Sequence, residues 1–177
     1  MPILCGIDEA GRGCLAGDLV IAGVILKTPI DGLMDSKKIS EKNREILYNQ
    51  IIKNSKYHIV SFSPQDIDRD GLSLCLAKGL ESIQDNLEAD IYLFDGNQTF
   101  GVLGINTMVK ADTKVPEVSA SSILAKVTHD RAIKKASILY PQYGFNKHKG
   151  YGTKAHIEAI REFGYTEFHR KSFKIKI

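Results

Sequence analysis

Ile3-Leu4-Cys5-Gly6-Ile7-Asp8-Glu9-Ala10-Gly11-Arg12-Gly13-Cys14-Leu15-Ala16-Gly17-Asp18-Leu19-Val20-Ile21-Ala22-Gly23-Val24-Ile25-Leu26 is the stretch whose reading decides the fold. Its first part, Ile3 to Asp8, is an apolar run of strand length that breaks on two acids, and reads as a buried strand. Leu19 to Leu26 is a second, β-branched run and reads as a second strand. Gly11, Gly13 and Gly17 between them allow a tight connection, so the two strands are expected to lie side by side and antiparallel.

Working outward, Ser40 is a cap for a helix over Glu41 to Lys53, and Tyr57 to Phe62 reads as a third strand. A helix starts at Ser73, with Leu76, Leu80, Ile83 and Leu87 on one face. Asp90 to Asp95 is a fourth strand stopped by Gly96-Asn97, and Leu103 to Val109 a fifth. Pro116 opens a long helix to about Lys135, and Thr153 caps a last helix that Gly164 ends. The pattern predicts an α/β fold, a mixed five-stranded sheet flanked by helices with a small helical C-terminal appendage. The chain of 177 residues suits a single domain, with about 139–177 as the appendage.

The formal charge of +3 hides a division. Residues 131–177 hold 11 Lys and Arg against 3 Asp and Glu, whereas the preceding residues are net acidic. A basic end beside an acidic body suggests a polyanionic partner, although an ordinary solvated basic face would look the same. The longest apolar run, Leu19 to Leu26, is far short of the roughly 20 residues needed to span a bilayer. Asp8-Glu9 comes too early for a signal peptide, and Cys5, Cys14 and Cys75 lack metal-ligand spacing. A cytoplasmic protein with reduced thiols, and no membrane partner, is expected. No base can be placed beside Cys14 from sequence, which argues against its being a nucleophile.

The carboxylates carry the chemistry. Asp8 and Glu9 stand where an apolar strand meets a glycine-rich turn, and adjacent strand residues can serve one site only if the strand turns there. Asp95 ends another apolar strand before a glycine, so acids at two strand ends can converge. Asp112 follows the fifth strand as a fourth candidate, with a helix-capping role as its alternative. Asp130, beside Arg131 in a helix, is its rival but reads better as a surface ion pair. Acids without a His or Cys cluster indicate a hard ion, Mg²⁺ or Mn²⁺. Two such ions are suited to phosphodiester displacement.

Residues Gly6-Ile7-Asp8-Glu9-Ala10-Gly11-Arg12-Gly13 resemble the first signature of the ribonuclease HII family. The likeness continues through Leu15-Ala16-Gly17, Asp35-Ser36-Lys37-Lys38 and Asp95-Gly96-Asn97. It extends to Ser119 through Val127, Gly150-Tyr151-Gly152-Thr153 and His169-Arg170-Lys171-Ser172-Phe173. The segments fall in the family's order over nearly the whole chain.

The resemblance implies the ribonuclease H fold and an endoribonuclease that cuts RNA in RNA–DNA hybrids. It also implies nicking of duplex DNA 5′ of an embedded ribonucleotide, leaving 3′-hydroxyl and 5′-phosphate ends. By motif, Asp8, Glu9, Asp95 and Asp112 would be catalytic metal ligands holding two ions. Gly11, Arg12, Gly13 and Tyr151 would sense the 2′-hydroxyl. Lys37, Lys38, Lys147, Lys149, Arg170 and Lys171 are expected phosphate contacts. His148 and His169 are expected at the surface or on phosphates rather than as bases. Cys14 and Asp18 stand where the family usually has proline, and Asp18 is not expected to be a ligand. A monomer is expected, and Ser172 to Ile177 shows no clear sliding-clamp peptide. The competing readings are a DNA-processing nuclease or transferase of the same fold and a non-catalytic nucleic-acid-binding module.

Overall fold

A computed structural model describes residues 1–33 and 38–175. Seven-residue β1 (Leu4–Ala10) pairs antiparallel with β2 (Leu19–Leu26), which pairs antiparallel with β3 (Ser55–Phe62). On its other side β1 runs parallel to β4 (Ile91–Asp95), and β4 parallel to β5 (Ile105–Met108). The sheet order is β3-β2-β1-β4-β5, so β1 is its centre. This is the mixed five-stranded sheet the sequence pattern implies.

Local chemistry sets the helices. In α1 (Glu41–Lys53) the Ser40 side chain accepts from the Asn43 amide, as the capping reading required. Sequence reading missed α2 (Pro64–Asp70), although Ser63 and Asp66 cap its N-terminus reciprocally and Pro64 begins it. α3 (Leu72–Asn86) follows directly. α4 (Pro116–Leu139) runs one turn beyond its expected end, because Ala136 still packs in the core. A short α5 (Phe145–His148) precedes α6 (Lys154–Phe163), which Thr153 caps.

Strand alternation divides the core in two. Cys5 and Ile7 of β1 and Leu19 and Ile21 of β2 face α2 and α3, against Ile67, Leu76, Leu80 and Ile83. Val20, Ala22 and Val24 face α1 and α4, against Leu47, Ile51, Ile123 and Leu124. The start of α4 is built from small residues, Ser119 to Ser122, all buried. They let the helix lie directly on β1. A Cβ at Gly6 would come within 2.3 Å of the α4 backbone at Glu117 and Val118, and Ser121 Oγ donates to the Gly6 carbonyl at 2.6 Å. A third cluster, Ala16, Ile133, Ala136, Tyr143, Phe145 and Ile160, fastens the C-terminal segments to α4 and to the turn after β1. No helix among the described residues is long and apolar enough to cross a membrane.

Candidate active site

Three acids meet at the end of the central strands. Asp8 lies near the end of β1, Asp95 closes β4, and Asp112 sits in a 3₁₀ turn, Ala111–Thr113, just after β5. One carboxylate oxygen from each lies within 4.8 Å of the others. Parallel pairing of β1 with β4 brings Asp8 and Asp95 to the same edge, and the Asp112 amide donates to Asp95 Oδ2 at 3.1 Å. Asp8, Asp95 and Asp112 therefore converge, as their strand-end positions suggested.

Glu9 reaches the site without the expected turn. β1 does not turn after Asp8 but continues to Ala10, where Glu9 pairs with Ile21, and the Glu9 carboxyl nevertheless lines the same cleft as that of Asp8 and interacts with it. Arg12 Nη2 holds Glu9 Oε1 at 2.8 Å, while the buried Oε2 has no hydrogen-bond partner among the described residues. The Asp8 carboxyl is pushed well above the usual carboxylate range, first by burial and then by the charges of Glu9 and Asp95. Burial raises Glu9 too, against the pull of Arg12. Crowded, all-oxygen and partly unsatisfied, this donor set fits a hard divalent cation.

The cleft around the acids has a volume of about 500 Å³ and is also lined by Lys110, Ser122, Lys126 and Tyr151. Sequence reasoning missed Lys110 and Lys126. Lys110 was hidden by its left-handed backbone (φ 56°) at the entry to the 3₁₀ turn. Lys126 could have been found by its helical spacing from Ser122, one turn earlier in α4.

The family model for ribonuclease HII matches residues 5–176. The chain belongs to the ribonuclease HII family. Ribonuclease HII from Sulfurovum sp. (strain NBC37-1) is 65% identical over 173 residues, which cover 98% of this chain and 92% of that one. The ribonuclease HII in the PCNA complex from Archaeoglobus fulgidus superposes with a TM-score of 0.84 at 28% identity, covering 99% and 96% of the two chains. Ribonuclease H2 from Pyrococcus horikoshii OT3 gives 0.81 at 26% identity, covering 97% and 93%. As a ribonuclease HII, the chain is an endoribonuclease that acts on nucleic acid, and this family depends on metal.

Several expected ribonuclease HII contacts are placed otherwise. Arg170 is 1% exposed. Its Nε donates to the Gly17 carbonyl at 3.0 Å and Nη1 to the Arg12 carbonyl at 3.1 Å, and it lies over the Phe173 ring. It holds the turn after β1 instead of reaching a phosphate. His148 and His169 are buried rather than at the surface, and are joined by His156. His148 stacks on His156 at 4.1 Å, and His156 Nε2 is 3.0 Å from His169 Nε2. Asp130 is no surface ion pair. It is buried, accepts from Lys126 Nζ at 3.2 Å, and is hydrogen-bonded to His129, while Arg131 pairs with Glu45.

The remaining expected contacts sit around the cleft or apart from it. Lys38, Lys147 and Lys171 are exposed, and Lys149 is half-buried. Lys37 lies outside the described residues, as does most of the Asp35–Lys38 motif. Gly11 and Tyr151 are close to a shared support, His129, and Gly13 is exposed. Asp18 stands outside the three-acid group. Cys14 is fully buried, and His129 does lie beside it, at 3.6 Å from sulfur to Nε2. That pairing joins residues 115 apart in sequence.

Proposed function

We propose that the acidic cleft hydrolyses the strand carrying a ribonucleotide, on the 5′ side of that ribonucleotide, in RNA–DNA hybrids and in DNA duplexes with a single embedded ribonucleotide. The convergence of Asp8, Asp95 and Asp112 oxygens within 4.8 Å carries this reading. These three residues would hold two divalent cations, Mg²⁺ or Mn²⁺, and the unpartnered Oε2 of Glu9 is available to complete their shell. When bound, such ions lower the pKa of an attacking water and neutralise charge on the scissile phosphate and the leaving oxygen.

The chain's own residues divide the rest of the work. Arg12, tethered to Glu9, ties the Gly11–Gly13 turn to the acids, so backbone that approaches a ribose is fixed relative to the reacting phosphate. Gly11 is at φ 83°, and an added Cβ would strike His129 and the Asp18 carbonyl, so only glycine fits there. Tyr151 borders the same cleft and can meet the 2′-hydroxyl, the group that separates RNA from DNA. Lys110 and Lys126 place positive charge at the cleft wall beside the phosphate. Lys38, Lys147, Lys149 and Lys171, the last three in the basic residues 139–177, would hold flanking phosphates. All these groups belong to one chain, which supports action as a monomer. The Archaeoglobus fulgidus relative is seen with PCNA, and no described segment of this chain is assigned that partner.

The test is a DNA duplex with one ribonucleotide beside its all-DNA twin, each with Mg²⁺ or Mn²⁺. Cleavage of the first alone, leaving 3′-hydroxyl and 5′-phosphate ends, is the expected result. Cleavage of both would overturn the ribonucleotide-sensing reading.

A further inference from the structure

A line of side chains runs under the cleft from Lys126 to Tyr151. Lys126 Nζ lies 3.2 Å from Asp130 Oδ1, and Asp130 Oδ1 lies 3.1 Å from His129 Nδ1. His129 Nε2 is 3.6 Å from Cys14 Sγ, and Tyr151, which interacts electrostatically with the Cys14 thiol, closes the line. His129 is 1% exposed and its ring centroid is 6.5 Å from that of Tyr151. The same ring floors the glycine turn: its Cδ2 would be 2.7 Å from a Cβ at Gly11. His129 therefore touches both elements proposed to read the sugar.

Hydrogen-bond chemistry gives the line a direction. The Asp130 carboxylate, held below its usual range by His129 and Lys126 against its burial, accepts and does not donate. A neutral His129 bonded to this carboxylate carries its proton on Nδ1 and presents Nε2 as an acceptor to the Cys14 thiol. The buried thiol is pushed up to about 11 and stays protonated, able to donate to Nε2 or to the Lys149 carbonyl, 3.6 Å away. Its sulfur lone pairs are left for the Tyr151 hydroxyl. With its proton turned to sulfur, the phenol shows lone pairs to the cleft.

From this juxtaposition we infer that Cys14 and His129 are positioning residues that set Tyr151 as a hydrogen-bond acceptor for the ribose 2′-hydroxyl. This rests on the proposed sugar-sensing role of Tyr151. A deoxyribose has no proton to give, and a 2′-fluoro sugar only accepts.

The experiment is single-turnover cleavage of a duplex with one ribonucleotide by Cys14→Ala, Cys14→Ser, His129→Asn, Tyr151→Phe and the Cys14→Ala/Tyr151→Phe pair. Affinity for 2′-hydroxyl and 2′-fluoro duplexes is measured in parallel. Cys14→Ala and His129→Asn are expected to slow cleavage roughly 3- to 10-fold, as lost coupling between neighbouring side chains does. The Cys14→Ala preference for 2′-hydroxyl over 2′-fluoro should fall, and Cys14→Ser should restore both readouts. In the Tyr151→Phe background, Cys14→Ala should add nothing. Losses that multiply, or an unchanged 2′-fluoro preference in Cys14→Ala while Tyr151→Phe loses it, would overturn the inference. A Tyr151→Phe enzyme that cleaves like wild type would overturn the sensing role itself. Cys14→Ser keeps the test decisive should His129→Asn fail to fold.

Discussion

The backbone amide of Asp112 donates to Asp95 Oδ2 at 3.1 Å, so one acid of the cleft holds the next in place. Asp95→Asn removes both a charge and the better acceptor. Turnover with either cation is expected to fall at least about 100-fold, since losing even an outer partner of a metal ligand costs about 10- to 100-fold. Duplex binding should persist, as the basic residues are untouched. Filter binding beside a cleavage assay checks this, and retained turnover would remove Asp95 from the site.

Metal should stabilise the fold. Without cations, the burial of Asp8 beside Glu9 and Asp95 works against its charged form. At 100 times its dissociation constant a ligand adds about 2.7 kcal/mol, or roughly 5–10 °C for a chain of this size. Thermal unfolding in EDTA against Mg²⁺ or Mn²⁺ measures the gain. Asp8→Asn is expected to melt higher than wild type in EDTA and to show little gain with metal; an undiminished gain would place the ion elsewhere.

Acid should loosen the C-terminal segments. Burial, more than the neighbouring imidazoles, lowers His169 to about 4, and His156 is likewise lowered to about 4 by burial. The hydrogen bonds explain the neutral forms. His156 Nδ1–H donates to the Tyr151 carbonyl, while His148 Nδ1 and His169 Nδ1 accept from the Gly150 and Thr166 amides. The unfolded chain protonates its histidines near 6.5 and the fold resists until about 4, so the stabilisation is complete above pH 6.5 and is lost as pH falls toward 4. It amounts to roughly 3 kcal/mol per histidine. Asp8 opposes this, since its raised carboxyl gains a proton on folding. Comparing urea unfolding of wild type and His169→Gln at pH 7 and pH 4.5 cancels the Asp8 part. The variant should show the smaller loss, and equal losses would assign the acid sensitivity to other groups.

Arg170 and the exposed lysines should separate by salt. Arg170→Met strands the Gly17 and Arg12 carbonyls and is expected to cost about 3 kcal/mol of stability. It should leave the salt dependence of duplex binding as it was. Lys38→Ala and Lys147→Ala should each reduce the slope of log affinity against log salt by about 1, with little change in melting. Titrations at several salt concentrations decide, and a reduced slope in Arg170→Met would return that guanidinium to the phosphates.

What could be read in advance was local. The α1 and α6 caps, the β1–β2 hairpin and the strand-end positions of the three acids follow from signals that act within a few residues of themselves. α2 was legible too, in the Ser63-Pro64-x-Asp66 cap, and passed unread because its seven residues carry only a short apolar signal. Asp130 beside Arg131 looked like a surface pair because burial is set by partners far along the chain, here Cys14 through His129. The same holds for Arg170 and the buried histidines: basic composition suggests phosphate, and only packing shows that these groups bind protein. Glu9 reaches the cleft beside Asp8 although β1 continues past it to Ala10, so the turn expected at that point is not what places it.

The stitching of Arg170 to Arg12 and Gly17 spans 158 and 153 residues of sequence. The Leu15 and Ala16 amides likewise donate to Gly150, and Gly17 to Phe168. Closing loops of that length is slow and is completed late. During synthesis, the contacts that brace the Gly11–Gly17 turn can form only after Gly150 and Arg170 have been made. Because Asp112 is made before Gly150 and Arg170, the acids of the cleft are synthesised ahead of the groups that brace the glycine turn.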